Sequence, residues 1–183
     1  TGRSAPRPRA LSIGIVDAVP KLIVYRLVEP ALRLKPAVRV VCVEGKPDRL
    51  LADLAGVKNV VVLTTDTHAH LIGEIRTTTF EPPGPTSTGI WEVITGPVAT
   101  NTYAKEIDSA LGSAGSGDFV TSLFLKPALP RGLGLRCAAT DTYGYSQVTA
   151  TATTLTVAPK AAAGGPVKEK TGATCEPLVL RAT

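Results

Sequence analysis

Residues 57–72, VKNVVVLTTDTHAHLI, contain the most apolar run of the chain, and a polar cluster follows it directly. The run at 60–63 predicts a short buried strand, because β-branched and apolar residues fit a pleated, half-buried surface. Asp66, His68 and His70 come next and include both histidines of the chain. In an extended segment these three side chains would share one face, since side chains alternate along a strand. The stretch therefore predicts a polar edge where a strand ends.

Carboxylate oxygen and imidazole nitrogen are ligands that divalent and trivalent metal ions accept. We therefore predict that Asp66, His68 and His70 form a metal half-site, with iron, calcium or zinc as the candidate ions. The alternative is a polar turn after a strand, in which the aspartate caps backbone N–H groups. Ligands from a single strand end rarely hold a metal alone, so the prediction requires further donors elsewhere in the chain.

The residues before this stretch alternate between strand-like and helix-like patterns. Residues 11–16 and 38–43 are β-type runs, and a third strand is predicted at 57–64. Apolar residues recur at helical spacing between Val19 and Leu34, and a second helix is predicted through Leu50, Leu51 and Leu54. The resulting order is β-α-β-α-β, which in one sheet requires parallel strands and right-handed crossovers.

After His70 the helical periodicity nearly vanishes, and short β-type runs alternate with turn residues. One short helix is predicted within 98–110. The predicted strands are 71–79, 90–95, 119–125, 134–140, 146–157 and 177–181. The expected fold class is α/β, with an N-terminal βαβαβ unit continuing into a β-rich, largely antiparallel C-terminal layer. The expected organisation is a disordered tail at 1–10, one segment at 11–56 and a second at 57–183.

The placement of charge argues against nucleic acid as a partner. The net charge is +5, but its two basic runs lie in Pro- or Gly-rich stretches near the ends of the chain. The two stretches hold six of the 20 basic residues, Arg3, Arg7, Arg9, Lys160, Lys168 and Lys170. Neither stretch interleaves aromatic residues with the cations, as a single-strand binder requires. No apolar run approaches the length of a membrane-spanning helix, so no membrane span is predicted. The oligomeric state is left open.

The three cysteines, Cys42, Cys137 and Cys175, show no CxxC pair and no metal-site spacing. Cys42 lies in an apolar strand, which predicts a small core residue. Cys137 and Cys175 pair if the chain is exported, and stay free otherwise. The spacing alone leaves both alternatives open.

Residues 11–55 resemble the start of the effector-binding domain of LysR-type transcriptional regulators, in an NhaR-like branch. The runs VDAVPK, YRLVEPAL and DRLLADLA carry the resemblance. It implies the first strands and helices of a periplasmic-binding-protein-like fold, a ligand-sensing role and a cytoplasmic location. No helix-turn-helix precedes these residues in the sequence, so DNA binding is not carried over.

Residues 57–181 resemble the C-terminal part of PhoD-like alkaline phosphatases, which are calcineurin-like metallophosphoesterases. The carrying segments include VKNVVVLTTDTHAHLIGEIR, GIWEVITGPVATNTYAKEID and GSGDFVTSLFLKPALPRGLGLRCAATDTYGYSQV. The resemblance implies a hydrolase in which Asp66 and His68 are metal ligands and a metal-activated water attacks a phosphate ester. His70 stands where the family often has Asn or another polar residue. The ligands of the family's N-terminal half are absent here, so weak or no activity is expected.

The two resemblances meet near residues 55–56 and imply different proteins, since PhoD-like enzymes are exported and LysR-type regulators are cytoplasmic. An engineered chimera, a fused or mis-assembled reading frame, or a recombinant fragment would each join such halves. Three functions follow as alternatives. They are an incomplete metal-dependent phosphoesterase, a ligand-sensing regulator fragment, and a non-catalytic structural or interaction protein.

Overall fold

The computed structural model describes residues 10–16, 24–25, 28–29, 32–33, 39–46, 49–50, 53, 59–77, 84–151 and 153–181. The chain divides into two compact units. One comprises Thr1–Val57 with Ala150–Ala152, and the other Lys58–Thr149 with Thr153–Thr183. None of the helices within the described ranges has the length and hydrophobicity to cross a lipid bilayer.

The first unit contains a parallel pair of strands, β1 (Ala10–Val16) and β2 (Arg39–Gly45). Helical conformation is found at 24–25, 28–29 and 32 between the strands, and at 49–50 and 53 after them. The predicted strands and helices of this segment are therefore confirmed where they are described. Ala10, which the prediction assigned to the disordered tail, belongs to β1, and the rest of that tail, residues 1–9, lies outside the described ranges.

The prediction that Cys42 is a core residue is wrong. Cys42 lies in β2, but its side chain is exposed and its thiol is free. The sheet of β1 and β2 has only two strands, so an apolar run in β2 does not ensure burial on both of its faces. The apolar residues around Cys42 in the sequence therefore led to an overestimate of its burial.

The second unit contains a four-stranded sheet of β3 (Val61–Thr64), β4 (His70–Thr77), β5 (Thr86–Ile94) and β6 (Cys137–Ala139), in the order β3-β5-β4-β6. β3 runs parallel to β5, while β4 is antiparallel to both β5 and β6. The third strand of the predicted βαβαβ unit thus pairs with β5 rather than with β2. In that register Val61 lies opposite Trp91 and Leu63 opposite Val93, so apolar residues are paired at every second position of β3.

A second sheet of this unit contains β7 (Gly144–Ala150), β8 (Thr154–Ala161) and β9 (Leu178–Arg181), in the order β7-β8-β9. β8 and β9 are antiparallel. The strand predicted at 146–157 is broken by residues 151–153 into β7 and β8. The fold class is confirmed as mixed α/β with a largely antiparallel C-terminal part.

The short helix predicted within 98–110 is confirmed as α1 (Tyr103–Leu111), whereas the strand predicted at 119–125 is wrong. Those residues form α2 (Ser116–Val120) and a π-helical turn, Thr121–Leu125. Gly117 allows this packing, because a Cβ at that position would collide with the backbone of Ala104 in α1. Tertiary packing has overridden the strand propensity of the β-branched and aromatic side chains in this run.

The core of the second unit lies between the two sheets. Eight buried residues form it: Ile72, Val93, Cys137, Ala139, Val157, Val167, Cys175 and Leu178. Of the two alternatives for the cysteines, the structure contains the Cys137–Cys175 disulfide, with a Cα–Cα distance of 5.2 Å and a sequence separation of 38 residues. Because the bridge restricts the unfolded chain, a loop of this length contributes about 4 kcal/mol to stability on the chain-entropy account.

We predict that reduction of this disulfide destabilises the second unit. The free energy of unfolding should fall by about 4 kcal/mol, because the reduced unfolded chain regains the entropy of an open loop. Urea unfolding of the oxidised and reduced chain with a metal chelator present measures the difference. A Cys42→Ser background removes exchange with the free thiol, and equal unfolding midpoints would contradict the prediction.

Candidate functional site

The backbone between β3 and β4 is bent rather than extended. β3 ends at Thr64 and β4 begins at His70. Asp66 has a φ of 83° and His68 a φ of 58°, in a region that non-glycine residues seldom adopt. The side chains at 66, 68 and 70 therefore do not follow strand alternation, and the expectation of a shared face is wrong. Such conformations cost about 1–3 kcal/mol each and persist where surrounding contacts impose them, frequently at functional sites.

Asp66 is exposed, whereas His68 is held against the first turn of α1. The N–H of Tyr103 donates to the carbonyl of His68 at 2.8 Å. This contact brings Glu106 next to the imidazole, with Glu106 Oε1 3.0 Å from His68 Nδ1. The side chains are 25% and 50% exposed respectively. The distance suits an ion pair, but Nδ1 makes no hydrogen bond of acceptable geometry and is itself buried.

His70 is fully buried, so its side chain lies in the interior and not at the surface. Its Nδ1 accepts a hydrogen bond from the N–H of Gly96 at 3.2 Å, which places the proton of the neutral ring on Nε2. Nε2 has no hydrogen-bond partner among the described residues. Burial lowers the pKa of His70 to about 4, so the ring is neutral at pH 7. His70 therefore does not lie with His68 in a shared group of metal-binding donors.

Thr102 is a third residue with an unsatisfied buried atom. It is the N-cap of α1 and is fully buried, yet its hydroxyl caps no backbone N–H and has no other partner. A threonine in this position ordinarily accepts a hydrogen bond from the first turn of the helix. His68, His70 and Thr102 each have such an atom, and backbone hydrogen bonds link their segments. Buried polar atoms without partners are uncommon in folded proteins and call for a functional or solvent-based explanation.

The donor atoms of Asp66, His68 and His70 do not form a compact metal cluster. Within the described ranges, the one group of three or more donors within 4.8 Å of one another is Cys137, Glu169 and Cys175. Glu106 is the site residue that the sequence analysis missed. It lies in the predicted helix at 98–110, but nothing in the sequence indicated that this helix would begin beside His68.

The pair of His68 and Glu106 has the geometry of two ligands of one metal ion. Ligands about 2.0–2.2 Å from zinc and about 90–110° apart are separated by roughly 3.0–3.5 Å. The observed distance between His68 Nδ1 and Glu106 Oε1 is 3.0 Å. The exposed carboxylate of Asp66 belongs to the same loop. Asp66 does not join the pair in a group of three donors within 4.8 Å, so the pair supplies two donors, fewer than the four of a structural zinc site.

We predict that His70 makes the protein less stable in mild acid. The pKa of His70 is about 4 in the folded state and about 6.5 in the unfolded chain. Its contribution is therefore fully present above the unfolded pKa and is lost as the pH falls from about 6.5 to about 4. The loss between pH 7 and pH 5 should be about 2 kcal/mol. Urea unfolding at the two pH values measures it.

A His70→Asn variant retains an acceptor for the Gly96 N–H and should lose this pH dependence, while a His68→Gln variant should retain it. The carboxyl groups of Glu74 and Asp108 have a lowered pKa, because the Ser87 hydroxyl and the Gly117 N–H stabilise their charged forms. Their contributions are lost in more acidic solution, outside the chosen window. Equal pH dependence in wild type and His70→Asn would refute the assignment.

Comparison with known proteins adds no relative to this description. No family model, no curated protein and no solved structure matches the chain. The PhoD-like resemblance of residues 57–181 and the LysR-like resemblance of residues 11–55 therefore remain expectations from the sequence. The function has to be argued from the geometry around His68.

Proposed function

We propose that this chain is an incomplete metal-dependent phosphoesterase that binds a single divalent ion through His68 and Glu106. The observation that carries the proposal is the unsatisfied Nδ1 of His68, 3.0 Å from Glu106 Oε1. A lone pair held beside a carboxylate with no hydrogen bond of its own is ready to bind a cation. Both side chains are partly exposed, although the Nδ1 atom itself is buried.

His70 is not included in this ligand set. Its Nδ1 is occupied by the Gly96 N–H, and its Nε2 carries the proton of the neutral ring. His70 acts instead as a buried support at the start of β4, directly after the metal-binding loop. The departure from the three-ligand prediction follows from the left-handed backbone at Asp66 and His68, which turns the loop before β4 begins.

The small number of donors accounts for the expected absence of turnover. Hydrolysis by a two-metal site requires ions that activate a water and clamp the attacking and leaving oxygens in line. Two protein ligands hold one ion weakly and leave no place for a second. A phosphate ester would contact one weakly bound metal ion, and no second ion would position the attacking water. We therefore expect metal binding to survive where catalysis does not.

We predict saturable binding of one Mn²⁺ ion per oxidised chain. His68→Gln and Glu106→Gln should each weaken it at least about tenfold, because loss of one of so few ligands removes a large part of the binding free energy. Isothermal titration calorimetry measures the affinity. Asp141→Asn is the matched control, since it removes an exposed carboxylate outside the site and should leave the affinity unchanged. An affinity unaffected by His68→Gln would exclude this site.

We predict no turnover of p-nitrophenyl phosphate above the uncatalysed rate, with or without added Mn²⁺, because the ligand set cannot hold two ions. Release of nitrophenolate, followed by absorbance, measures the rate. Turnover that disappears in Asp66→Asn would show that the ligand set is more complete than proposed. Metal binding without turnover is the combination that the proposal requires.

A further inference from the structure

Cys137, Cys175 and Glu169 form a second group of metal-binding residue types, and none of them belongs to the site at His68. One ligand atom from each lies within 4.8 Å of the other two. The three residues are 0%, 1% and 8% exposed, respectively. In the oxidised protein the two sulfurs are joined in a disulfide, which leaves no thiolate to bind a metal.

Contacts independent of the S–S bond fix the strand and the 167–175 segment separately, and the hydrogen bond from the Ala138 N–H to Glu169 Oε1 joins the two. Cys137 pairs with Ile72 in the four-stranded sheet. The N–H of Cys175 donates to Val167 at 2.9 Å, and the N–H of Glu169 donates to Ala173 at 2.8 Å. The strand and the 167–175 segment are therefore fixed by their own hydrogen bonds. Breaking the disulfide leaves the two sulfurs next to each other and to the carboxylate.

Only one of the two carboxylate oxygens of Glu169 accepts the hydrogen bonds described here. Its Oε1 accepts hydrogen bonds from Lys126 Nζ at 2.7 Å and from the N–H of Ala138 at 2.9 Å. Lys126 also donates to the carbonyls of Leu135 and Arg136, which fixes the ammonium beside the carboxylate. Both bonds go to the same oxygen, so Oε2 retains its lone pairs for another ligand.

We propose that reduction of the Cys137–Cys175 disulfide creates a zinc site formed by the two thiolates and Glu169. A dithiol reductant supplies two electrons and two protons, becomes a disulfide itself, and leaves Cys137 and Cys175 as thiols. Zn²⁺ then displaces one proton from each thiol to solvent and forms two Zn–S bonds. Oε2 of Glu169 is the third ligand, and a water molecule takes the remaining tetrahedral position.

The balance of charge suits this site. Two thiolates about 2.3 Å from a tetrahedral zinc ion lie about 3.7 Å apart, so the two sulfurs have to move apart once the disulfide is broken. Charges in a protein interior have to be balanced locally. Zinc and the Lys126 ammonium balance the two thiolates and the Glu169 carboxylate, so the occupied site is neutral. The oxidised site is neutral as well, because Lys126 and Glu169 already pair.

Cobalt binding to the reduced chain tests the proposal. The Cys42→Ser variant removes the exposed thiol, and a phosphine reductant, converted to its oxide by water, reduces the disulfide without competing as a thiol. Co²⁺ should then give a thiolate-to-cobalt charge-transfer band at one equivalent, and Zn²⁺ should abolish it. The oxidised chain should give no such band. Cobalt at His68 and Glu106 gives none either, since that site has no sulfur.

Further Cys42→Ser variants identify the ligands. Cys175→Ser should lose the band, and Glu169→Gln should bind cobalt at least tenfold more weakly, while Asp141→Asn should match the parent. A reduced parent without the band, or a Glu169→Gln variant of unchanged affinity, overturns the three-ligand site. If reduction unfolds the chain, circular dichroism measures whether Zn²⁺ restores the folded structure. Refolding on addition of Zn²⁺ supports the proposal, and failure to refold overturns it.

Discussion

The buried connection between β6 and the 167–175 segment is the constraint on which the second unit depends. The Cys137–Cys175 bridge lies in the cluster that fills the space between the two sheets. Glu169 adds a polar connection beside it, because its carboxylate accepts hydrogen bonds from the backbone of β6 and from Lys126. A charge pair alone contributes little in such a place. In this protein the Lys126–Glu169 pair lies beside the disulfide. Glu169 also accepts a hydrogen bond from the N–H of Ala138, which would otherwise be buried without a partner.

The candidate site depends on that core through α1. The N–H of Ala104 donates to the carbonyl of Thr140 at 2.9 Å, just beyond β6, and the N–H of Tyr103 donates to His68. The helix is thus tied to the end of β6 and to the loop before β4. Glu106 is carried next to His68 by these two contacts. The site is therefore a product of three segments that are far apart in sequence.

The sequence predicted most of the strands and the short helix, because alternation and turn residues are local signals. It could not give strand partners, so β3 was expected in one parallel sheet with β1 and β2 and is found beside β5 in another sheet. The 119–125 run was misjudged for a related reason, since its helical form depends on the approach of Gly117 to Ala104. Asp66 and His68 were identified as candidates from residue type and order. Their left-handed backbone and the presence of Glu106 depend on tertiary contacts that no local pattern contains. The regulator-like alternative rests on residues 11–55, much of which lies outside the described ranges.

The two glycines that border His70 are constrained for different reasons. The three atoms nearest to a Cβ at Gly96 all belong to the imidazole, with Cδ2 at 2.5 Å and Nε2 at 2.6 Å, whereas a Cβ at Gly144 would also strike the backbone carbonyl of Lys160. Position 96 can therefore accept alanine once residue 70 becomes small, but position 144 cannot. Among evolutionary variants of this chain, residues 70 and 96 should change together, with glycine at 144 retained throughout.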